Sequence, residues 1–340
     1  MTVLEAIQKS TDFLTKKGVD SPRLQAELLL AHLVKLPRMK LYLNFERVLS
    51  PVETDALREL VKRRSQREPL QHITGSTSFC GLEITVNRHV LVPRPETEIL
   101  AELGWEWLGK HRTGNEEHPT SNSDKSRAGI EHPTSNAEHA GPEAGAPSAL
   151  DFGTGSGCIA IALAVKCPAA SITALDISAD ALALARENAV KNNVGERVEF
   201  LQGNGFAALG EMDAQAPERG LPSPRMVSTQ TRGQGCPRSF DLIISNPPYI
   251  PTAEIATLQP EVRDFDPHGA LDGGADGLDF YRRFAVEAAA HLKPGGKIML
   301  EFGDGQAEAI RKFFENEKWI VEALKADYSR RERILIARRD

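Results

Sequence analysis

The sequence lacks long apolar runs and has only four cysteines among its 340 residues. No apolar run reaches the ~18–20 residues that cross a bilayer, so no membrane-spanning segment is expected. The N-terminal Met-Thr-Val-Leu-Glu also lacks the basic and then apolar pattern of a secretion signal. The cysteines are scattered without the spacing of metal ligands and are Cys80, Cys158, Cys167 and Cys236. These absences favour a reducing, cytoplasmic location and no bound metal.

An excess of positive charge is lacking as well, because 47 Asp and Glu outnumber 41 Lys and Arg and leave a net charge of −6. A free-standing nucleic-acid-binding protein usually has a basic surface, so no stable nucleic-acid binding is expected. Residues 1–75 differ from the remainder, since they carry 13 Lys or Arg against 9 Asp or Glu. A solvated helical surface explains this modest excess. The alternative is contact with an acidic or RNA-associated partner.

The period of the apolar residues changes at residue 76. Residues 1–75 have helical spacing without a strand pattern. Within them, Ser50-Pro51-Val52-Glu53 is a capping box with proline at the first helical position, which predicts the start of a helix. Residues 76–92 then take the pattern of short strands. They predict a hairpin with strands at 78–86 and 89–92 around Asn87-Arg88.

Strands and helices alternate from residue 148 onward, which predicts a mostly parallel sheet with helices on both faces. The predicted strands are 148–152, 171–176, 197–202, 240–245, 297–302, 318–324 and 332–338. The predicted helices are 157–166, 178–192, 276–292 and 304–316. Only a short turn separates the last two strands, so they should pair antiparallel. The fold class is therefore α/β, with a doubly wound sheet of seven strands and a small N-terminal helical domain joined by a β-hairpin.

Two segments interrupt this alternation. Residues 112–147 contain no Phe, Trp or Tyr and repeat Glu-His-Pro-Thr-Ser-Asn at 117–122 and 131–136. Residues 211–238 are rich in Pro, Gly, Arg and Gln. Neither segment can bury enough apolar surface to offset the entropy lost on ordering. Both are predicted to be disordered insertions.

A glycine-rich loop, Gly153-Thr154-Gly155-Ser156-Gly157, follows the first strand of the predicted sheet. Glycines allow a sharp turn and a close approach of the backbone to a ligand. The spacing departs from the G-x-G-x-x-G of dinucleotide sites because Cys158 occupies the last position, and no Walker lysine follows. Asp176 ends the next strand, where a carboxylate can accept both hydroxyls of an adenosine ribose. The loop is thus a candidate site for an adenosine-containing ligand.

A second candidate site, Asn246-Pro247-Pro248-Tyr249, follows the buried strand predicted at 240–245. Proline cannot donate a ladder hydrogen bond, so the strand ends there. The Asn246 amide and the Pro247 carbonyl then lie at the carboxyl edge of the sheet, where ligands bind in open α/β folds. Two adjacent acceptors beside an aromatic ring suit a planar NH2 group. Accepting both of its N–H groups can hold the nitrogen still and favour localisation of its delocalised lone pair.

Taken alone, the tetrapeptide could be only a turn that closes a strand. The glycine loop, the acidic strand end and the tetrapeptide occur together and in this order, which favours a catalytic site.

These motifs resemble those of class I S-adenosylmethionine-dependent methyltransferases. They are most similar to the protein-(glutamine-N5) methyltransferases that modify peptide chain release factors. Residues 67–75, 92–98 and 265–278 also resemble segments of that family. The resemblance implies a substrate-recognition domain at 1–75, a hairpin linker at 76–92 and a Rossmann-like methyltransferase domain at 93–340.

The resemblance also implies an activity and its participants. A methyl group would pass from S-adenosyl-L-methionine to the side-chain nitrogen N5 of the glutamine in the Gly-Gly-Gln motif of a release factor. The release factor would be the protein substrate, and the enzyme would act as a monomer.

Individual roles follow from the same resemblance. The residues expected to bind the cofactor are Gly153, Thr154, Gly155, Ser156, Gly157, Asp176, Asn204, Gly205 and Asn246. The residues expected to bind the substrate are Asn246, Pro247, Pro248 and Tyr249, of which all but Pro248 are expected to be catalytic. The family often has an acidic and then a bulky residue where this chain has Asn204 and Gly205, so Phe206 is the expected substitute for the bulky side chain. Glu96 and Glu98 are interpreted as charges at a helix N-terminus.

The residues alone leave other functions open. A DNA adenine-N6 methyltransferase uses the same tetrapeptide, but it must also flip a base and hold phosphates, and no basic target-recognition domain is evident. Methyltransferases of RNA amino groups or of a ribosomal-protein glutamine share the chemistry. A nicotinamide oxidoreductase would need the missing glycine, and a non-catalytic S-adenosylmethionine-binding module would not need the tetrapeptide.

Overall fold

The computed structural model of the protein describes residues 1–110, 145–210 and 238–339. The insertions predicted at 112–147 and 211–238 lie outside the described residues, except for residues 145–147 and 238. Within the described ranges, no helix is both long and apolar enough to cross a membrane.

The N-terminal part of the chain is helical. Its helices are α1 (Val3–Lys16), α2 (Pro22–Val34), α3 (Arg38–Leu41), α4 (Pro51–Ser65) and α5 (Leu70–Thr74). The capping box predicted at Ser50 and Glu53 is confirmed, since each accepts from the other's backbone N–H at the start of α4. Leu14, Leu29 and Leu30 are fully buried where these helices pack together.

The remainder of the chain is built around a seven-stranded sheet in the order β5-β4-β3-β6-β7-β9-β8. The strands are β3 (Ser148–Phe152), β4 (Ser171–Asp176), β5 (Val198–Gln202), β6 (Phe240–Ser245), β7 (Leu292–Glu301), β8 (Ile320–Ala326) and β9 (Glu332–Arg338). Strand β9 is antiparallel to β7 and β8, and the other pairs are parallel. The predicted fold class is confirmed, including the antiparallel final pair.

Helices cover both faces of the sheet. They are α6 (Pro95–Lys110), α7 (Cys158–Lys166), α8 (Ala179–Lys191), α10 (Asp279–Glu287) and α11 (Ala307–Asn316), whereas the short helix α9 (Pro260–Arg263) lies in the connection between β6 and α10. One apolar core lies under α6, α7 and α8, and a second lies under α10 and α11. Strand order reverses between β3 and β6, and ligands bind at such a switch point in doubly wound sheets. Glu96 and Glu98 lie in the first turn of α6, which agrees with their interpretation as charges at a helix N-terminus.

The hairpin has a different register from the one predicted. Its strands are β1 (Ser76–Phe79) and β2 (Leu82–Thr85), whereas strands at 78–86 and 89–92 were expected. The turn lies at Cys80-Gly81, where both residues are left-handed, with φ of 51° and 77°. Two left-handed residues match the twist of a tight hairpin. The prediction of a turn at Asn87-Arg88 was wrong because the apolar run continues through Cys80 and conceals the real turn.

Asn188 on α8 connects the hairpin to the glycine loop and is completely buried. Its Oδ1 accepts from the Thr85 N–H at 2.8 Å, and its Nδ2 donates to the Thr85 and Ser156 carbonyls at 2.9 Å each. We expect Asn188→Ala to lower the free energy of unfolding by about 2–4 kcal/mol, because it leaves these buried backbone groups without partners. Chemical denaturation measures the change.

Asn192→Ala is the matched control for this prediction. Asn192 caps the C-terminus of α8, one turn beyond Asn188, and donates to the Glu83 carbonyl of the same hairpin at 3.1 Å, but in an exposed position. Its loss should cost less than about 1 kcal/mol. Equal destabilisation by the two substitutions would contradict a special role for the buried amide.

Ion pairs attach the N-terminal helices to the sheet domain. Glu261 on α9 accepts from Arg64 at 2.8 Å and from Arg67 at 2.6 Å. Burial raises the pKa of Glu261, but the hydrogen bonds from Arg67 and Arg64 outweigh it, so that the pKa lies below its usual value. The Arg64 side chain is only 5% exposed, so this pair is a buried connection and not a surface contact. It places the helical part next to the segment that follows Asn246-Pro247-Pro248-Tyr249.

Candidate active site

The glycine loop is open on the side away from the core. Gly153, Gly155 and Gly157 all have positive φ, at 73°, 53° and 81°. A Cβ added to Gly153 or Gly155 would meet nothing within 4 Å, whereas one at Gly157 would lie 3.0 Å from the Ala185 Cβ. The first two glycines therefore leave space for a ligand, and the third allows α7 to pack closely on α8.

Asp151 anchors the glycine loop from the side of the protein core. It is fully buried, and its Oδ2 accepts from the Thr154 hydroxyl at 2.6 Å and from the Ala160 N–H at 3.0 Å. Burial raises the pKa of Asp151 to about 7, against the hydrogen bonds that lower it. Thr154 and Ser156 are themselves 5% and 2% exposed, so their side chains belong to the support of the loop.

Asp176 lies at the end of β4, directly beside the loop. Its Oδ2 accepts from the Gly155 N–H at 2.8 Å, and its Oδ1 accepts from the Ser178 N–H at 2.9 Å. Each carboxylate oxygen keeps a further lone pair for a ligand hydroxyl. The next residue, Ile177, is apolar and 65% exposed, and the sequence reasoning assigned it no role. An exposed apolar side chain next to the carboxylate expected to bind a ribose can pack against the adenine ring of such a ligand.

Asn204 and Gly205 follow β5 and are covered by Arg283 of α10. The Arg283 guanidinium donates to the Asn204 Oδ1 and to the Asn204 carbonyl, both at 3.2 Å. Gly205 has φ of 76°, and a Cβ at this position would collide with that guanidinium. The Arg283 guanidinium therefore fills the space next to Gly205. From the sequence, the Phe206 side chain was expected to take the place of the family's bulky residue here. Phe206 is 3% exposed and stacks on His291 inside the core, so the expectation that it serves as that substitute was wrong.

If Gly205 lies beside the S-adenosylmethionine that the resemblance implies, Gly205→Ala should weaken its binding by about fivefold, because the added Cβ would push the Arg283 guanidinium away from Asn204. Calorimetric titration of the cofactor measures the Kd. Gly210→Ala is the control, since its φ is −99° and its added Cβ would be no closer than 3.8 Å to another group. An unchanged Kd for Gly205→Ala would contradict the expected place of Gly205 and Arg283 beside the cofactor.

Asn246 lies where β6 ends, next to the end of β3 and the glycine loop. The Ser245 hydroxyl donates to the Phe152 carbonyl at 2.6 Å and ties the two strand ends together. The Asn246 Nδ2 donates to the Thr97 hydroxyl oxygen, at 3.0 Å, in the first turn of α6. Because the amide nitrogen is engaged there, the Asn246 Oδ1 is the atom left to accept from a substrate.

The other residues of the tetrapeptide complete this edge of the sheet. Among the described residues, no group donates a hydrogen bond to the Pro247 carbonyl, which leaves a second acceptor beside the Asn246 amide. Pro247 is buried and Pro248 is half-buried. The Tyr249 carbonyl accepts from the Gln306 Nε2 at 2.9 Å, which fixes the end of the tetrapeptide. Burial raises the pKa of Tyr249 to about 12, so its ring is neutral at physiological pH.

Two buried carboxylates, Glu301 and Asp266, were given no individual role by the sequence reasoning. Glu301, at the end of β7, is 3% exposed, and burial raises its pKa to about 7. Asp266 is 7% exposed, and burial raises its pKa to about 6 although it pairs with Arg94 at 2.9 Å. Buried groups with shifted pKa values are concentrated at functional sites. No sequence pattern indicates a functional role for Glu301, because a polar residue at the end of a strand is common.

The geometry thus brings the predicted glycine loop, Asp176 and Asn246-Pro247-Pro248-Tyr249 to one edge of the sheet. Asn204 and Gly205 lie at the end of β5, on the far side of β4 from β3. In the described residues, no group of three or more His, Cys, Asp or Glu side chains could hold a metal ion.

Comparison with known proteins gives the same assignment for both parts of the chain. Residues 5–75 match the family described as the PrmC N-terminal domain, and residues 145–335 match a methyltransferase domain. A release factor glutamine methyltransferase from Geobacter sulfurreducens is 38% identical over 313 residues, which cover 92% of this chain and 88% of that protein. A release factor glutamine methyltransferase from Chlorobaculum tepidum is 38% identical over 308 residues, covering 90% of this chain and 87% of that protein.

A solved structure of a methyltransferase from Pyrococcus furiosus is 23% identical, with a TM-score of 0.37, and the match covers 56% of this chain and 73% of that one. The family assignment does not depend on that likeness. It depends on the similarity to the two curated relatives, which extends over most of this chain and most of each relative. The chain belongs to the family of release factor glutamine methyltransferases.

Proposed function

We propose that this enzyme transfers a methyl group from S-adenosyl-L-methionine to the side-chain nitrogen N5 of the glutamine in the Gly-Gly-Gln motif of peptide chain release factors. The observation that carries the proposal is the orientation of the Asn246 amide. Its nitrogen is held by Thr97, and no group of the described residues donates to its oxygen or to the Pro247 carbonyl. These two acceptors match the two N–H groups of a carboxamide.

The loop residues fit the cofactor. The open faces of Gly153 and Gly155 leave room for a ligand against the backbone, and Asp176 offers acceptors for the two ribose hydroxyls. Asn204 and Gly205, held by Arg283, are the proposed neighbours of the adenine. When bound, S-adenosylmethionine supplies an electrophilic methyl group on a sulfonium.

The chain's own contribution to the reaction is to position the nucleophile. Asn246 Oδ1 and the Pro247 carbonyl accept the two N–H groups of the substrate amide, which holds its nitrogen and favours localisation of the lone pair. Pro248 and Tyr249 form the adjoining wall, with the Tyr249 ring against the amide plane. Fixing a reactant in this way can contribute up to ~7–11 kcal/mol, and preorganised dipoles add to it. No strong general base is needed, because the proton can leave after methyl transfer.

The N-terminal helices are proposed to recognise the release factor. Residues 1–75 are held beside the catalytic edge by the ion pairs of Arg64 and Arg67 with Glu261. We therefore propose residues 1–75 as the substrate-recognition domain, residues 76–92 as the linker and residues 93–340 as the methyltransferase domain. The net charge of −6 supports a protein partner over stable nucleic-acid binding. We further propose that the enzyme acts as a monomer in the cytoplasm, where its substrate functions.

Incubation with methyl-labelled S-adenosylmethionine tests the proposal. The acceptors are a release factor, the same release factor with its Gly-Gly-Gln glutamine replaced by alanine, ribosomal proteins and nucleic acid. We expect label in the intact release factor only, and a mass increase of one methyl group on its Gly-Gly-Gln peptide. Label in nucleic acid or in ribosomal proteins, or label that persists in the alanine variant, would overturn the proposed substrate.

A further inference from the structure

The Gln306 side chain connects three backbone segments beside the tetrapeptide. Its Nε2 donates to the Tyr249 carbonyl at 2.9 Å and, more weakly, to the Gly277 carbonyl at 3.4 Å. Its Oε1 accepts from the Gly303 N–H at 2.9 Å. One amide group therefore joins the end of the tetrapeptide to the segment before α10 and to the turn after β7.

The direction of the Gln306 amide is fixed by partners that cannot exchange their roles. A main-chain carbonyl only accepts, and a main-chain N–H only donates. A flipped amide would place its oxygen against the Tyr249 carbonyl and its NH2 against the Gly303 N–H, so both hydrogen bonds would be lost. The Gln306 main chain is fixed as well, because its carbonyl accepts from the Ile310 N–H at 3.1 Å at the start of α11. Gln306 is thus a rigid donor to Tyr249.

Two glycines lie tight against this contact. A Cβ added to Gly277 would collide with the Tyr249 carbonyl oxygen and would lie 2.8 Å from the Gln306 Nε2. A Cβ added to Gly303 would lie 2.9 Å from the Gln306 Oε1 and 3.1 Å from the Tyr249 Cδ2. Both the carbonyl and the ring of Tyr249 are therefore packed against the residues that Gln306 connects.

Main-chain hydrogen bonds also hold the residue that follows Tyr249. The Ile250 N–H donates to the Leu271 carbonyl at 3.0 Å, and the Ile250 carbonyl accepts from the Gly273 N–H at 2.9 Å. At the other end of the tetrapeptide, the Asn246 side chain is bound to Thr97. The hydrogen bond from Gln306 completes this set of restraints at Tyr249 itself.

We infer, on the basis of the proposed function, that Gln306 is a positioning residue that holds the Tyr249 ring in the orientation in which it packs against the substrate amide. Gln306 acts through Tyr249 and does not touch the substrate. Without its hydrogen bond, the peptide group after Tyr249 gains rotational freedom, and the ring can shift with it. A small displacement of a group that orients a reactant lowers the rate, because fewer bound complexes have the reactive geometry.

Gln306→Ala in the full-length enzyme is the first test. We expect kcat for release factor methylation to fall about tenfold, because the only change at Tyr249 is the loss of one positioning hydrogen bond. The Kd for S-adenosylmethionine should remain nearly unchanged, since the glycine loop and Asp176 are untouched. In the Tyr249→Ala background, Gln306→Ala should have little further effect on kcat, because a residue that acts through Tyr249 has nothing left to position.

Gln306→Glu tests the donor role of the amide. A neutral carboxyl can donate to the Tyr249 carbonyl and accept from the Gly303 N–H, whereas a carboxylate only accepts and repels the carbonyl. The ratio of kcat for this variant to kcat for the unmodified enzyme should therefore fall as the pH is raised from about 5 to about 8. The same ratio for Gln306→Ala should not depend on pH.

Gly303→Ala disturbs the same contact without removing a hydrogen-bonding group, and it carries the kcat measurement if Gln306→Ala does not fold. Its Cβ would push on both Gln306 and Tyr249, so kcat should fall while the Kd for S-adenosylmethionine persists. Gly109→Ala is the control, because among the described residues nothing lies within 4 Å of its added Cβ. The melting temperature is measured for every variant.

The outcomes separate this inference from the proposed function. Full activity of Gln306→Ala and of Gly303→Ala would overturn the inference alone. So would an equal fold-loss from Gln306→Ala with and without the Tyr249 side chain, because independent effects multiply. A ratio for Gln306→Glu that does not change with pH would overturn the donor role of the amide. If the unmodified enzyme methylates no release factor, the proposed function falls and this inference falls with it.

Discussion

Replacing Asn246 with alanine is expected to lower kcat by about two to three orders of magnitude, the loss seen when one preorganised polar contact to a reacting group is removed. The substitution deletes the oxygen that accepts one of the two substrate N–H groups. The Pro247 carbonyl alone cannot fix the amide nitrogen, because a single hydrogen bond leaves the group free to rotate. The glycine loop and Asp176 are untouched, so binding of S-adenosylmethionine should largely persist.

The measurements for this prediction are kcat with a release factor substrate, the cofactor Kd by calorimetry and the melting temperature. The variant loses one hydrogen bond to the buried Thr97 hydroxyl, which costs about 1 kcal/mol of folding stability and leaves the protein folded. Asn44→Ala is the control, since its Nδ2 donates to the Lys40 carbonyl at 2.7 Å in the N-terminal helices. A parallel loss of cofactor binding and turnover in Asn246→Ala would contradict the role assigned to this side chain.

Much of the sheet domain could be predicted from local sequence, because a parallel sheet buries its strands on both faces. Such strands appear as short apolar runs, and residues 240–245 are an example that the structure places in the middle of the sheet. The ends of these runs then indicate the edge where ligands bind. This is why the glycine loop after β3 and the tetrapeptide after β6 could be assigned to one site without knowledge of the fold.

What the sequence did not indicate is which distant side chains support the site. Thr97 and Asn246 are separated by 149 positions in the chain, yet their side chains are hydrogen-bonded. Their contact depends on how α6 packs across β6 and β7, which no local pattern encodes. Arg283 is a similar case, since it reads as an ordinary surface residue of α10 but covers Gly205.

Two predictions were wrong, the role of Phe206 and the register of the hairpin, because in each case the local sequence is compatible with two structures. Phe206 follows Gly205, and an aromatic residue beside a ligand site can face either the ligand or the core. It faces the core, where it lies 5.0 Å from the Phe152 ring and 5.9 Å from the Phe284 ring. The hairpin register failed for a related reason, because the turn at Cys80-Gly81 needs two left-handed residues and cysteine rarely signals one.

Replacing Asp176 with alanine is the second substitution expected to have a large effect, and here the loss should be in binding. Two hydrogen bonds from ribose hydroxyls to a carboxylate would be lost, at about 1.5 kcal/mol or more each. That loss corresponds to a rise of about 100-fold or more in the Kd for S-adenosylmethionine. The Gly155 and Ser178 N–H groups would lose their acceptor as well, which loosens the loop before the ligand binds.

Calorimetry with S-adenosylmethionine and with its demethylated product checks the Kd, and Asp180→Ala provides the control. The Asp180 side chain is 71% exposed, and it pairs only loosely with His89 at 3.4 Å in the first turn of α8. Asp176→Asn should be intermediate, because its single oxygen can accept from Gly155 or from Ser178 but not from both.

At saturating cofactor, kcat of Asp176→Ala should recover toward that of the unmodified enzyme, because Asp176 is proposed to contact the ribose and not the amide that is methylated. A kcat that stays low at saturation would show that the ribose carboxylate also aligns the methyl donor with Asn246. The expected contrast with Asn246→Ala, which should lose turnover but not binding, follows from the proposed roles of the residues at the ends of β4 and β6.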